Sequence, residues 1–378
     1  MTKIKAKLTL FATTLAMLII SAQLYAANAV TKTKNVIMVV TSYGEEQGKT
    51  KPGYEFDEFS KAYLVFKENG INVDIASPKG GAVEADEYDP SKPYNEKVLA
   101  DKAIMKKLNN TLSTKDIDAS SYDAVFVVGG KGAMFDLPKD KALQNLIADI
   151  YQHQGSVAAV CHGPAALVDV KLKDGSYLVA NKAINSFTNQ EEKLFGKKWL
   201  KEFDFMLEDK LVERGAKFES TNLMLSHVAV DNRLITGQNP SSTVAVANAL
   251  VRSLGLKPAV IEQDQEDKTL ALVARFLKGD TNVISKFASD QQQYHLPLVG
   301  MYGFYFLKAA QSDTELSQAL SLMTVAQKAI NNPVLDMTIA KTQHKLGNNK
   351  AAKQTLDQLL ASKPDYQPAL EMLKTLAL

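Results

Sequence analysis

One short segment limits the possible folds of this chain more than any other: a buried strand that leads directly into a cysteine and a histidine. Residues 157–160 are small or β-branched and apolar, which is typical of a strand covered on both faces. Cys161, His162, Gly163 and Pro164 come next, and an apolar run with helical spacing follows them. The pattern predicts a strand, a sharp turn and a helix, an arrangement known as a nucleophile elbow. A side chain at such a turn stands clear of the sheet, near backbone N–H groups that favour a thiolate and can bind a developing oxyanion.

Cys161 is the only cysteine among the 378 residues, so the chain cannot form an intramolecular disulfide. One interpretation is structural, because free cysteines are usually buried small hydrophobic side chains. The position at the turn and the adjacent His162 favour a reactive thiol instead. The five histidines and this cysteine show no spacing typical of zinc ligands, so we expect neither a metal nor another cofactor.

Strands and helices alternate on both sides of this segment. Asn35–Thr41 and Ile71–Ser77 are apolar runs of strand length, and Tyr54–Asn69 between them has a helical apolar stripe that Gly70 ends. This rhythm predicts a right-handed crossover and a parallel sheet. A long polar stretch follows at residues 82–120. The remaining predicted elements are the strands Tyr122–Val128, Leu178–Ala180, Ala183–Phe187 and Arg233–Gly237, and the helices Asp140–Gln154 and Ser241–Leu254.

The predicted fold of residues 33–256 is therefore α/β, with a flavodoxin-like, doubly wound parallel sheet. In an open sheet of this kind, active groups gather beyond the carboxyl ends of the strands. The loops at residues 42–58 and 129–136 lie there, together with the turn at Cys161. We expect a candidate site at this edge of the sheet.

Residues 1–26 are typical of a secretory signal peptide. Three lysines precede the uncharged apolar run Leu8–Ile20, and small residues follow near Ala26. A transmembrane anchor is the alternative, but the run is shorter than the roughly 20 residues that a span needs. We expect cleavage after Ala26 or Ala29 and a periplasmic or secreted mature protein.

The mature chain would be nearly neutral. Removing the three leader lysines from the 44 basic residues leaves 41, against 42 acidic residues. No basic stripe or run marks a nucleic-acid site, so nucleic acid is not an expected partner.

From about residue 256 onward the sequence becomes charged and helix-forming, and we predict a smaller all-α domain at residues 265–378. Residues 333–366 fit one 34-residue repeat of the tetratricopeptide type, with its turn at Gly347. One repeat cannot bury its apolar face alone, so the preceding helices should supply its neighbours. A generic helical bundle is the alternative.

Several short motifs are spread from residue 41 to residue 242. They are Thr41-Ser42, Gly53–Glu58, Asp74–Gly81, Val127–Gly130 with Asp136–Pro138, Ala159–Pro164, Phe187–Glu192 and Thr236–Ser242. Together they resemble the ThiJ/PfpI superfamily, which has the class I glutamine-amidotransferase-like fold. Within it the chain is similar to the branch that contains heat-shock chaperones and glutathione-independent glyoxalases.

The resemblance implies roles for four side chains. Cys161 would be the nucleophile, with His162 as its partner. Glu192 would orient the imidazole, and Glu58 would hydrogen-bond the sulfur and shuttle a proton. The implied oxyanion and substrate-binding positions are Gly129, Gly130 and Lys131, with the backbone N–H groups of Gly130 and His162 as donors.

Two of these assignments have alternatives. Glu58 lies near Glu55 and Lys61 on the predicted helix, a pattern otherwise typical of a solvated face. A shift of one residue would put Glu191 in the place of Glu192.

Lys131 departs from the branch, because many of its members have histidine after the paired glycines. A point charge at the rim of the pocket would favour an anionic substrate or product. His227 lies in the strand-like stretch Met224–Val230, and we expect it to be a structural or pocket-wall residue.

The resemblance implies an enzyme of the lyase class that converts methylglyoxal or glyoxal into a 2-hydroxy acid, or one that repairs glycated proteins by the same chemistry. The alternative is a holdase chaperone or periplasmic adaptor that binds a protein partner through the C-terminal helices. An amidotransferase, a peptidase and a redox sensor are further alternatives. A homodimer is the expected assembly. Superfamily membership predicts the fold better than the reaction.

Overall fold

Strands and helices alternate in the part of the chain before residue 256. The structure is a computed structural model that describes residues 33–376, so the predicted signal peptide at residues 1–26 lies outside the described residues. The strands are β1 (Asn35–Val39), β2 (Asn72–Ser77), β3 (Leu112–Ser113), β4 (Ala124–Val127), β5 (Ser156–Val160), β6 (Ala183–Ile184), β7 (Lys217–Phe218), β8 (Val228–Asp231) and β9 (Leu234–Gly237). The α-helices are α1 (Phe56–Glu68), α2 (Pro93–Ala100), α3 (Lys102–Leu108), α4 (Ala133–Asp136), α5 (Lys141–Gln152), α6 (Asn189–Phe195), α7 (Leu207–Glu213) and α8 (Thr243–Ser253).

Seven strands form one sheet in the order β3-β2-β1-β4-β5-β9-β8, and β6 pairs with β7 separately. All neighbours in the large sheet are parallel except β8 and β9. Val39 of β1 lies in register with Val127 of β4, which in turn lies in register with Ala159 of β5. The loops after β1, β4 and β5 therefore leave the sheet side by side at its carboxyl edge. The predicted doubly wound α/β fold is confirmed.

Helices cover both faces of this sheet. Val36 and Met38 point to the face covered by α1 and α8, whereas Ile37 and Val39 point to the face covered by α5. Every residue of β5 is buried, which explains why its sequence lacks polar alternation. The chain leaves α1 at Gly70, whose φ of +65° suits a residue without a side chain.

The segment after Cys161 differs from the prediction. Residues Gly163–Leu167 form a 3₁₀ helix, not an α-helix, and all five are buried. The chain folds back soon afterwards, because the Leu178 N–H donates to the Val170 carbonyl at 2.9 Å. This close return leaves no space for further helical turns, so the elbow consists of a strand, a turn and a short 3₁₀ helix.

Two other predictions also differ. Residues 178–180 form a turn, closed by a hydrogen bond from the Ala180 N–H to the Tyr177 carbonyl at 3.0 Å, and not a strand. Leu178 and Val179 are fully buried, which accounts for their apolar character without a sheet. The polar stretch at residues 82–120 contains α2, α3 and β3, and these elements are too short to give a clear periodic pattern.

Residues 265–376 are helical apart from the connecting turns. The helices are α9 (Gln265–Leu277), α10 (Ile284–Ser289), α11 (Leu296–Ala309), α12 (Asp313–Ile330), α13 (Pro333–Lys345), α14 (Asn349–Ser362) and α15 (Gln367–Leu376). The turn between α13 and α14 contains Gly347, with φ of +79°, where the repeat pattern predicts a turn. The assignment of this hairpin to tetratricopeptide repeats stays a prediction. Within residues 33–376, no helix combines the length and the apolar character needed to cross a membrane.

Candidate active site

Cys161 is the first residue after β5, and its backbone conformation is unusual. Its φ is +60°, in the left-handed region that residues other than glycine rarely occupy. Its N–H donates to the Gly237 carbonyl of β9 at 2.9 Å, and its own carbonyl accepts the Phe187 N–H at 2.9 Å. A conformation of this kind costs about 1–3 kcal/mol and persists only where the surroundings impose it. The turn therefore fixes the buried thiol at the carboxyl edge of the sheet.

His162 links the thiol to a buried carboxylate. The Cys161 Sγ lies 3.4 Å from His162 Nδ1, and His162 Nε2 lies 2.8 Å from Glu192 Oε2. The Phe187 ring packs against the imidazole, with 4.6 Å between the ring centroids. An ionised Glu192 favours the tautomer that carries its proton on Nε2, which leaves the Nδ1 lone pair facing the sulfur. In this arrangement His162 can accept the proton of the thiol.

Glu191 and Glu192 are neighbours on α6 with different contacts. Glu191 forms a capping box with Thr188 at the start of the helix. Its Oε1 also accepts hydrogen bonds from the Met224 N–H at 2.6 Å and from the Asn239 side chain at 2.9 Å. Glu191 therefore joins α6 to the loops before β8 and after β9. Of the two glutamates between which the sequence left a choice, Glu192 is the one that contacts His162.

Glu58 lies on α1 and is fully buried. Its Oε2 accepts the Gly129 N–H at 2.7 Å, whereas its Oε1 is buried without a hydrogen-bond partner among residues 33–376. Burial raises the pKa of Glu58 well above its ordinary value, and the nearby Glu55 carboxylate raises it further. Burial therefore favours the protonated form of Glu58, and the side chain is not part of a solvated face.

Gly129, in the loop after β4, lies between Glu58 and the thiol, and its lack of a side chain allows the two to lie close together. A Cβ atom on Gly129 would lie 2.6 Å from Glu58 Oε2 and 2.8 Å from Cys161 Cβ, so only glycine fits there. Gly129 is one of the predicted oxyanion and substrate-binding positions, and its N–H donates to Glu58. Lys131 is half-buried in the same loop, and its charge reaches Glu55 and Asp86.

The surroundings of the thiol favour its protonated form. Burial raises the pKa of Cys161 well above its usual range, and the adjacent Glu58 adds to this effect. The Gly130 N–H acts in the opposite direction, because it donates to the sulfur and stabilises negative charge there. A reaction at Cys161 therefore needs a base that takes the proton as the sulfur attacks. His162 lies at the right place for this.

Two acidic residues, Glu55 near the thiol and Asp86 near His162, were not assigned to the site by sequence reasoning. Burial, together with the charge of Asp57, raises the pKa of Glu55 to about 7. Burial also raises the pKa of Asp86, although this side chain accepts the Gly53 N–H at 2.6 Å. Glu55 reads in the sequence as part of a solvated helix face, and Asp86 lies in the polar stretch that carried no motif. Glu55 falls within the motif Gly53–Glu58, but the resemblance gave it no role, and none of the motifs contains Asp86.

His227, predicted to be a structural or pocket-wall residue, contacts Glu219 and Asn185. His227 Nε2 lies 3.3 Å from Glu219 Oε1, and the His227 backbone carbonyl accepts a hydrogen bond from Asn185 at 3.0 Å. Within the described residues, no group of three or more His, Cys, Asp or Glu side chains is arranged to hold a metal ion.

The sheet is doubly wound, and an elbow at its carboxyl edge carries Cys161 and His162, with Glu192 of α6 beside them. This arrangement is typical of the class I glutamine-amidotransferase-like folds. The sequence profile of the DJ-1/PfpI family matches residues 50–253, and the chain belongs to this family. The match covers every strand of the sheet except β1, the helices α1 to α8 and every residue of the cluster described above.

Several relatives have names that state an activity. The chain is 33% identical over 245 residues to the protein named glutathione-independent glyoxalase hsp3102 of Schizosaccharomyces pombe, which covers 60% of this chain and 100% of that protein. It is 31% identical over 235 residues to glutathione-independent glyoxalase HSP31 of Saccharomyces cerevisiae, covering 58% of this chain and 97% of that protein. The C-terminal helices therefore have no counterpart in hsp3102.

Two solved structures match a similar share of this chain. The structure of the Rapid Encystment Protein 24 KDa of Francisella tularensis is 36% identical, with a TM-score of 0.55, over 59% of this chain and 99% of that one. The structure of glyoxalase III from Candida albicans is 25% identical, with a TM-score of 0.54, over 58% of this chain and 97% of that one.

Proposed function

We propose that this protein is a glutathione-independent glyoxalase that converts a 2-oxoaldehyde such as methylglyoxal into the corresponding 2-hydroxy acid. The relatives named above support an enzyme of this kind. The observation that carries the proposal is the pairing of Cys161 with Glu58, whose burial raises its pKa and favours its protonated form. A carboxyl group that can give and take a proton beside the nucleophile suits an internal rearrangement of the substrate.

The first step forms a covalent adduct. The Cys161 sulfur attacks the aldehyde carbon while His162 Nδ1 takes the thiol proton. The electron pair of the C=O bond moves to the oxygen, which the Gly130 N–H stabilises as negative charge develops there. Protonation of this oxygen gives a hemithioacetal. Glu192 holds the imidazole in place and stabilises its positive charge.

The second step moves hydrogen within the substrate. A proton leaves the former aldehyde carbon and a proton is added to the neighbouring carbon, with Glu58 and His162 as the acid and base. The hydroxyl proton of the hemithioacetal is lost from the first oxygen, and a proton is added to the oxygen of the neighbouring carbonyl group. The first carbon is oxidised to a thioester and the second is reduced to an alcohol, so no external oxidant or reductant is required. Water then cleaves the thioester, which releases the 2-hydroxy acid and restores the thiol.

The direct test is incubation of the purified protein with methylglyoxal, without glutathione or added metal. We expect methylglyoxal to disappear and lactate to form in equal amounts, measured by proton NMR. Loss of methylglyoxal without lactate would indicate simple adduct formation. No loss, with the thiol shown to be reduced in denaturant, would contradict the proposal.

The two neighbouring glutamates of α6 provide a matched comparison. Glu192→Gln is expected to lower kcat about 10²- to 10⁴-fold, because the amide cannot stabilise the imidazolium, while the stability changes little. Glu191→Gln is expected to lower the free energy of unfolding by about 1–3 kcal/mol, because its NH₂ group would face hydrogen-bond donors. Urea unfolding and steady-state kinetics measure both effects. If Glu191→Gln lowers kcat and Glu192→Gln lowers only the stability, the assignment of Glu192 as the partner of His162 is wrong.

A further inference from the structure

The helices after residue 264 pack against the two helices that carry the candidate catalytic glutamates. Lys61 of α1 is buried, with 9% of the residue exposed, although lysine is rarely buried without a partner. Its Nζ lies 2.7 Å from Asp264 Oδ2 and 2.8 Å from Asp267 Oδ1. Asp264 caps α9, and Asp267 lies in its first turn. The ion cluster therefore joins the start of the helical segment to α1, one helical turn beyond Glu58.

A second bridge joins the first turn of α1 to the first turn of α9. Lys92 Nζ lies 2.9 Å from Asp57 Oδ2 on α1 and 3.2 Å from Glu266 Oε2 on α9. Asp57 also accepts a hydrogen bond from the Asn95 side chain at 2.6 Å. Asp57 and Lys61 lie on either side of Glu58 in the sequence, so the section of α1 that carries Glu58 is held on both sides.

The helical segment also packs against α6, which carries Glu192. The ring of Phe195, the last residue of α6, lies 4.8 Å from the ring of Tyr305 on α11. Leu223 and Leu225, in the loop before β8, are buried in the same apolar cluster as the C-terminal helices. Removal of these helices would expose apolar surface of the α/β domain.

The position of the Glu58 carboxyl depends on the position of α1. Its hydrogen-bond partners are the Gly129 N–H and the Cys161 side chain. A small shift of α1 would therefore weaken its contact with the thiol. Misplacement by about 1 Å can lower a catalytic rate about 100-fold.

We propose that Lys61 is a positioning residue: paired with Asp264 and Asp267, it holds α1 so that the Glu58 carboxyl stays against the Cys161 thiol. The helical segment then completes the active site, and it is not an independent binding module. The contact between Glu58 and the thiol does not depend on the substrate, whereas the effect on turnover rests on the proposed function. The whole length of hsp3102 is covered by 60% of this chain, so the helical segment is an addition relative to that protein.

The thiol itself provides a readout that does not need the substrate. The charged and titratable groups around it come from several elements: Glu55 at the N-cap of α1, Glu58 on α1, His162 on the elbow, Glu192 on α6, and Asp86 and Lys131 in the loops. Cys161 is the only cysteine, so alkylation by iodoacetamide reports on this site alone. The pH dependence of its rate measures how far the surroundings oppose the thiolate.

The experiment compares Lys61→Met with Lys353→Met in the full chain. Lys353 forms an exposed ion pair with Asp357 on α14 at 2.7 Å, so its replacement removes the same charge far along the helical segment. We expect Lys61→Met to shift the alkylation midpoint by about 0.5 pH unit or more, because the Glu58 carboxyl no longer lies against the thiol. Methylglyoxal turnover should fall about 10- to 100-fold in kcat with little change in KM. Lys353→Met should match the wild type in both.

Two further variants keep the proposal open to failure. Lys61→Arg retains the charge and should restore most of the wild-type alkylation profile. If Lys61→Met does not fold, Asp264→Asn serves in its place, because asparagine still caps α9 but removes one of the two charges. A folded variant with the wild-type alkylation profile would overturn the proposal, even with a lower Tm. If the wild type does not consume methylglyoxal, the alkylation profiles still decide the question.

Discussion

Replacing Cys161 by alanine is expected to abolish the conversion of methylglyoxal into lactate, with a loss of about 10⁴-fold or more. Without the sulfur no covalent adduct can form, and His162 and Glu58 have no bound carbon on which to act. The variant should fold, because alanine fits the buried position and carries the same backbone strain at φ +60° as cysteine. Proton NMR of the product and urea unfolding measure the two properties separately.

Cys161→Gly is the control for this experiment. Glycine occupies the left-handed region freely, so the glycine variant is expected to be about 1 kcal/mol more stable than the alanine variant, and equally inactive. The two variants then differ in stability and agree in activity, which separates folding from chemistry. Turnover by either variant would show that the sulfur is not the nucleophile, and the glyoxalase proposal would need a different first step.

The position of Cys161 could be predicted from the sequence because local patterns determine it. A buried strand followed by Cys161-His162-Gly163-Pro164 predicts a turn, and the rhythm of the neighbouring strands places that turn at the carboxyl edge of a parallel sheet. Register then brings the loops after β1, β4 and β5 together, as the structure has them. The resemblance supplied Glu58 and Glu192, which no local pattern would have selected.

Contacts between distant segments could not be predicted in this way. Glu55, Glu58 and Lys61 read as the charged face of a helix, yet Glu58 and Lys61 are buried. Their burial depends on the loop after β4 and on Asp264 and Asp267, which are more than 200 residues away in sequence from Lys61. A single sequence does not show which charges meet across such a distance, so the coupling between the α/β domain and the C-terminal helices was not foreseen. The helices were predicted as a separate domain, and the contacts on α1 and α6 became visible only in the structure.

Replacing Glu58 by glutamine is expected to lower activity and raise stability. Glutamine has the same shape, and its carbonyl oxygen can still accept the Gly129 N–H. Its amide cannot give and recover a proton, so we expect kcat for methylglyoxal to fall about 10²- to 10⁴-fold. Glu68→Gln is the matched control, because Glu68 is exposed on the same helix. This control should leave kcat unchanged.

The gain in stability should depend on pH in a defined direction. In the unfolded chain Glu58 has a pKa of about 4.3, whereas in the folded protein its pKa is raised well above the ordinary value by burial. Above about pH 4.3 the unfolded state therefore binds fewer protons at this site than the folded state. This difference lowers wild-type stability by up to about 1.4 kcal/mol per pH unit until the folded pKa is reached.

Glu58→Gln removes this loss. The difference between its free energy of unfolding and that of the wild type should therefore be smallest near pH 4 and should increase toward pH 8. Urea unfolding of the wild type, Glu58→Gln and Glu68→Gln at pH 4, 6 and 8 measures it, and the Glu68 variant should follow the wild type. If the curves of Glu58→Gln and the wild type run parallel, Glu58 is ionised in the folded protein. A carboxylate already without its proton could not act first as the acid, and the hydrogen transfer would have to begin at His162. If the difference in free energy of unfolding increases with pH, the folded protein holds a protonated carboxyl group beside its nucleophile, and this lowers its stability.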